Sequence, residues 1–150
     1  MKLSRNFSLQ EMALSQTAER HGIDNTPSDY VVNNLRLLCQ QILQPVRDHF
    51  DRPVMISSGY RCVELNRMIG SSDRSQHIKG EAADFKVVGV QNKVVAEWIS
   101  ENLVYDQCIL EFYDPREGLY SGWIHVSYSS TSARQQDLTI NKNGTFLGFI

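Results

Sequence analysis

No run of about 18 apolar residues occurs in this sequence, and that excludes a membrane-spanning helix. No excess of positive charge occurs either: the net charge is -2, which argues against a nucleic-acid partner held through many phosphates. Cysteine is scarce. Cys39, Cys62 and Cys108 are odd in number and show no C-x-x-C spacing, so a disulfide framework and a cysteine-based zinc knuckle are both disfavoured. Cys39 falls on an apolar helical stripe and Cys108 within an expected strand, where both read as small buried hydrophobes. The opening Met1-Lys2-Leu3-Ser4-Arg5-Asn6-Phe7 lacks the apolar core of a signal peptide, so the expectation is synthesis in the cytoplasm without an export signal. Internal repeats, linkers and low-complexity stretches are lacking too.

What remains is an ordinary globular composition, 41% hydrophobic and 21% charged. At 150 residues, one domain spanning 1–150 is the economical reading, and a monomer the simplest assembly. Ser8-Leu9-Gln10-Glu11 reads as a capping box opening a short helix toward Leu14, followed by a polar stretch through Asn25. Thr26-Pro27 predicts the start of the longest helix, running to about Phe50 with Val31, Leu35, Leu38, Ile42 and Val46 at helical spacing. Pro45 predicts a kink or break near Gln44. Strands are expected over Pro53–Ser57, Ala82–Val88, Asp106–Tyr113 and Gly122–Tyr128, with a terminal hairpin turned at Asn143-Gly144. Short helices are expected over Val63–Ile69 and Val94–Leu103, and a polar loop over Ser71–Gly80. The order of elements predicts an α+β fold, an antiparallel sheet with helices packed mainly on one face.

Histidine is also rare, with four residues, and two of them lie in suggestive places. His77 precedes Asp84 in Ser75-Gln76-His77-Ile78-Lys79-Gly80-Glu81-Ala82-Ala83-Asp84, and His125 lies far downstream in Trp123-Ile124-His125-Val126. Two imidazoles and a carboxylate can hold zinc at three corners of a tetrahedron, leaving the fourth open as catalytic sites do. Alternation along Gly122–Tyr128 puts Trp123, His125 and Ser127 on one face and the core residues Ile124 and Val126 on the other. A carboxylate amid Ala82-Ala83-Asp84-Phe85 is costly to bury unless it is paired or metal-bound. His21 and His49 read as structural.

These motifs resemble the zinc D-Ala-D-Ala carboxypeptidases, bacterial and phage murein peptidases whose fold is shared with the Hedgehog signalling domain. The likeness rests on Ser58-Gly59-Tyr60-Arg61, Asn66, Ser75-Gln76-His77, Gly80, Ala82, Asp84 and Trp123-Ile124-His125-Val126, and spans roughly residues 5 to 145. It is closest to a phage or prophage branch. The resemblance implies zinc held by His77, Asp84 and His125, a peptidoglycan stem peptide as substrate, and an Arg61 that faces the cleft to hold substrate and the developing oxyanion. It also implies a route to the cell wall through phage-mediated release or a virion. Manganese or cobalt could occupy the same ligands.

A zinc ion so held would polarise the scissile carbonyl and acidify a water toward a pKa of about 7, with a carboxylate needed to move the proton. The better-known members carry a glutamate three residues before the last histidine, where this chain has Gly122. Glu111, closing the apolar run Cys108-Ile109-Leu110, is the expected replacement, with a pKa raised by burial. Arg61 can grip a carboxylate or carbonyl with two parallel hydrogen bonds. Ser75 and Gln76 are expected to orient the first ligand or to donate to substrate, and Trp123 to wall the cleft. The rival reading is a catalytically inactive zinc-containing module that binds murein or serves in a phage tail. A third reading is a small zinc hydrolase for a different amide.

Overall fold

The computed structural model describes residues 1–150. A two-stranded antiparallel ribbon opens the chain, β1 (Lys2–Ser4) and β2 (Phe7–Ser8), and buries Leu3 and Phe7 in the main core. Helix α1 (Leu9–Ala13) starts as its capping residue predicts, with Ser8 Oγ accepting from the Glu11 N–H. A second short helix, α2 (Gln16–His21), lies in the stretch read as merely polar, and Ser15 caps it in the same way.

Helix α3 (Asp29–Leu38) begins two residues later than expected. Thr26 is engaged with Asp24 at 2.6 Å, and Ser28 supplies the cap instead by accepting from the Val31 N–H. A π-helical turn (Cys39–Leu43) and helix α4 (Gln44–Phe50) complete the long helical run. Pro45 has no N–H to give the preceding turn, and the backbone widens just before it, with the Gln44 N–H reaching Cys39 O. The expected irregularity near Gln44 therefore takes the form of a π-turn. Its cost is outweighed by the unbroken apolar stripe of Val31, Leu35, Leu38, Ile42 and Val46, all buried.

Strand β3 (Val54–Ser58), helix α5 (Val63–Met68), β4 (Ala82–Val87), helix α6 (Asn92–Asn102), β5 (Gln107–Glu111), β6 (Trp123–Ser127), β7 (Gln136–Asn141) and β8 (Gly144–Leu147) follow. The α+β architecture is as expected. The large sheet has the order β3-β4-β6-β5-β7-β8, and every neighbouring pair is antiparallel except β5 with β7. One parallel pair makes the sheet mixed, not antiparallel throughout. The cause is local: β6 ends beside the start of β5, and the chain steps past that start to open β7 alongside it. Asp106, just before β5, pins this step by accepting from the Arg134 backbone N–H, Nε and Nη2 at 3.2, 2.7 and 2.8 Å.

Helices α3, α4 and α6 share one core cluster with Ala83, Phe85, Val87, Cys108, Ile124 and Val126 from a single face of the sheet. Cys39 and Cys108 are fully buried, no disulfide forms, and burial pushes the Cys39 thiol up to about 12. No helix is long and apolar enough to cross a membrane. The opposite face of β4, β5 and β6 is left free of this packing.

Candidate metal centre

Strands β4 and β6 pair with Asp84 directly opposite His125. Their neighbours Ala83, Phe85, Ile124 and Val126 are buried in the core, so alternation delivers Asp84 and His125 side by side to the free face. His125 Nδ1 lies 2.9 Å from Asp84 Oδ1.

His77 arrives from outside the sheet. The stretch expected as a loop contains a 3-10 turn (Gln76–Lys79), capped by Ser75, whose Oγ accepts from the His77 N–H. The His77 ring is buried, with Nδ1 2.7 Å from the carbonyl oxygen of Gly59 and Nε2 3.4 Å from Asp84 Oδ1. A carbonyl only accepts, so Nδ1 carries the proton and the Nε2 lone pair faces Asp84. Gly59 can sit there because it has no side chain: a Cβ would stand 2.2 Å from Met12 O. The tight passage against α1, together with the Tyr60 N–H donating to Met12 O at 2.7 Å, aims the Gly59 carbonyl at His77.

His77, Asp84 and His125 each offer a ligand atom, all within 4.8 Å of one another. Zinc ligands about 2.0–2.1 Å from the ion at tetrahedral angles stand roughly 3.3–3.4 Å apart. The His77–Asp84 separation of 3.4 Å already matches that edge, and the His125–Asp84 pair needs to open by about 0.5 Å. Burial pushes the His77 pKa down, the Asp84 contacts opposing it, which favours the neutral imidazole a metal requires. Burial alone would raise the Asp84 pKa, yet the hydrogen bond from His125 and the adjoining His77 imidazole outweigh it and hold the carboxyl well below its usual range. Neutral imidazole and ionised carboxylate together form a donor set that fits a divalent zinc ion.

Glu111 closes β5 opposite Trp123, on the same face as His125. It is half-buried, and its pKa is raised by burial first and by the Asp84 charge second, against the opposing pull of His125, Trp123 and Arg61. Gly122 accounts for the missing glutamate of the better-known pattern. It has φ +72°, and a Cβ there would meet Glu111 O at 2.1 Å and Phe112 C at 2.5 Å. No side chain fits. The same tight crossing holds Phe112 at φ +54°, an uncommon conformation for a bulky residue, and its ring stacks on Trp123 with centroids 5.4 Å apart.

Arg61 follows the Gly59-Tyr60 turn, with its backbone N–H donating to His77 O at 3.2 Å. The guanidinium donates to Ser58 Oγ at 3.3 Å, and its buried Nε has no partner. Burial lowers its pKa while Asp84 and Glu111 raise it, which puts it within charge range of both carboxylates. Ser75 and Gln76 are engaged within the protein. Ser75 caps the His77 turn, and Gln76 Nε2 donates to buried Asp106 at 3.0 Å. His49 stacks on Trp98 at 4.3 Å, a structural contact as expected.

Three supports of the site were missed in the sequence: the Gly59 carbonyl, the Asp106–Arg134 pair behind Gln76, and the Phe112 ring. Glycine after serine was visible in Ser58-Gly59, but a backbone oxygen leaves no residue-type signal. Asp106 and Arg134 are 28 residues apart with nothing local to link them.

No curated protein matches the chain. A family model described as Peptidase M15 matches residues 5–127, a span that holds all three prospective ligands together with Arg61, Glu111 and Trp123. That match covers most of the sequence and ends with the last residue of β6, and on it the chain belongs to the peptidase M15 family.

Proposed function

We propose that this metallopeptidase uses zinc and hydrolyses an amide bond in peptidoglycan stem peptides, as a D-Ala-D-Ala carboxypeptidase or an endopeptidase of endolysin type. The observation that carries the reading is the convergence of His77 Nε2, Asp84 Oδ1 and His125 Nδ1 beside a half-buried glutamate on one sheet face. Family membership supports a metallopeptidase, and the donor set suits zinc.

Zinc, when bound, would supply Lewis acidity toward the scissile carbonyl and toward a water. Glu111 would take the proton of the attacking water and return it to the leaving amine, a role suited to a carboxylate whose pKa burial has raised. Arg61, with unused donors and partial burial, would hold the carbonyl oxygen as charge develops there. Trp123, backed by Phe112, would wall the cleft on the far side of His125. Ser75 and Gln76 would keep the His77 turn in place. Action would be at the cell wall, reached by phage-mediated release or as part of a virion, with the chain working as a monomer.

The deciding experiment is digestion of purified murein by the zinc-loaded protein, with Glu111→Gln alongside and products identified by mass spectrometry. Cleavage by the wild type and its loss, by about 10²–10⁴-fold, in a variant that still binds zinc is the expected result. A fully metallated wild type that cuts no wall chemotype would replace this reading with a zinc-containing murein-binding module.

A further inference from the structure

Next to Arg61, and lined by none of the three candidate metal ligands, runs a cleft of about 440 Å³ between α2, the end of β3 and α5. Arg20 and Arg61 both line it, with the hydroxyls of Ser15, Ser57 and Ser58, and no aspartate or glutamate does. That sign is unusual in a chain of net charge -2. Arg5, Arg47, Arg67, Arg116 and Arg134 are each paired to a carboxylate. Arg20, by contrast, reaches only Thr17 Oγ1 on its own helix, at 3.4 Å. Arg61 spends one donor on Ser58 Oγ and leaves Nε without a partner. Two guanidinium groups without an ion-pair partner thus line one polar cleft, an arrangement that suits an anion, and planar guanidinium groups match carboxylates best.

We propose that this cleft binds a second carboxylate of the substrate peptide, with Arg20 as its counter-ion, so that the enzyme selects stem peptides bearing a free carboxylate over those carrying a carboxamide there. The proposal rests on the stem-peptide reading above and names a determinant for it. Arg61 stands at the junction, within charge range of Asp84 and Glu111 on one side and lining the cleft on the other. A peptide with its scissile bond at the metal therefore passes Arg61 and presents its next acidic group to Arg20. Arg20 acts in binding only, so its loss moves KM and leaves kcat.

The test uses the zinc-loaded full chain and two synthetic stem peptides identical except for a carboxylate or a carboxamide at that position. Binding is followed by calorimetry in the Glu111→Gln background, which prevents turnover, and KM and kcat are followed with Glu111 intact. The free acid should bind about tenfold better than the amide. Arg20→Gln should erase that preference through the free acid alone, and Arg20→Lys should restore part of it. Equal binding of the two peptides, or a preference that survives Arg20→Gln, overturns the proposal. If peptides are cut without discrimination, the cleft assignment fails and the peptidase reading stands. If the free acid is preferred through Arg20 but nothing is cut, the cleft stands and the peptidase reading fails.

Discussion

His77 is held through Nδ1 by the carbonyl oxygen of Gly59, 2.7 Å away, and this single contact decides which ring nitrogen faces Asp84. Contacts of this kind to a metal-binding imidazole typically matter 10- to 100-fold in metal affinity. In Gly59→Ala the added Cβ would meet Met12 O at 2.2 Å and push the carbonyl off its line. Zinc affinity, measured by chelator competition, should fall by about 10–100-fold in the folded fraction. Unchanged affinity would show that the Gly59 carbonyl does not orient the ligand.

Gly122 faces a similar limit from the other side of the site. Gly122→Glu restores the residue type seen in better-known relatives, yet the backbone there has φ +72° and no space for a Cβ. Introduced into Glu111→Gln, it should rescue no activity and should lower stability by about 2 kcal/mol or more, from strain and overpacking. Thermal unfolding and peptide hydrolysis check both halves. Recovery of activity would mean that the crossing with Phe112 can relax and that two positions compete for the same role.

Zinc should stabilise the fold through the three ligands. With free metal at about 100 times Kd, linkage gives about 2.7 kcal/mol, visible as a rise in Tm. Asp84→Asn keeps the shape and removes the charge between the two imidazoles, and the zinc-dependent rise should vanish. A rise of equal size in that variant would place the ion elsewhere.

Asp106 links stability to acid. The Arg134 guanidinium beside it holds its carboxyl down to about 2. A carboxyl depressed in the folded state contributes fully above its ordinary value near 4, and the contribution is lost as pH falls toward about 2. Asp106→Asn should therefore destabilise the protein by about 1–2 kcal/mol at neutral pH, because buried Asp106 loses its charge-assisted hydrogen bonds while the half-exposed Arg134 stays solvated. It should also flatten the loss of stability between roughly pH 4 and 2. Denaturant unfolding across that range measures both. Since Gln76 Nε2 donates to the same carboxylate, zinc affinity should weaken as well. An acid profile identical to wild type would remove Asp106 from this role.

Helix positions were legible where the signal is local. Ser8 and the stripe from Val31 to Val46 were read correctly because capping and 3.6-residue periodicity involve neighbours in sequence. The start at Ser28 in place of Thr26 was not, because both are favoured cap types and it is Asp24 that claims Thr26 and leaves the role to Ser28. The parallel pairing of β5 with β7 was missed for a related reason. It depends on Asp106 capturing Arg134 across the end of the sheet, and loops carry no pattern that reveals such a partner.

The sequence by itself determined the residue types: two histidines, an aspartate amid small apolar neighbours, a glutamate at the end of an apolar strand, and alternation that turns His125 away from the core. Strand periodicity is a property of the backbone, so the face of each residue was readable without its partner. Tertiary structure decided everything that depends on register. It set Asp84 opposite His125, Glu111 opposite Trp123, and the Gly59 carbonyl behind His77. A shift of one residue in either pairing would scatter these groups to opposite faces, and core packing of Ala83, Phe85, Cys108, Ile124 and Val126 on the other side opposes it.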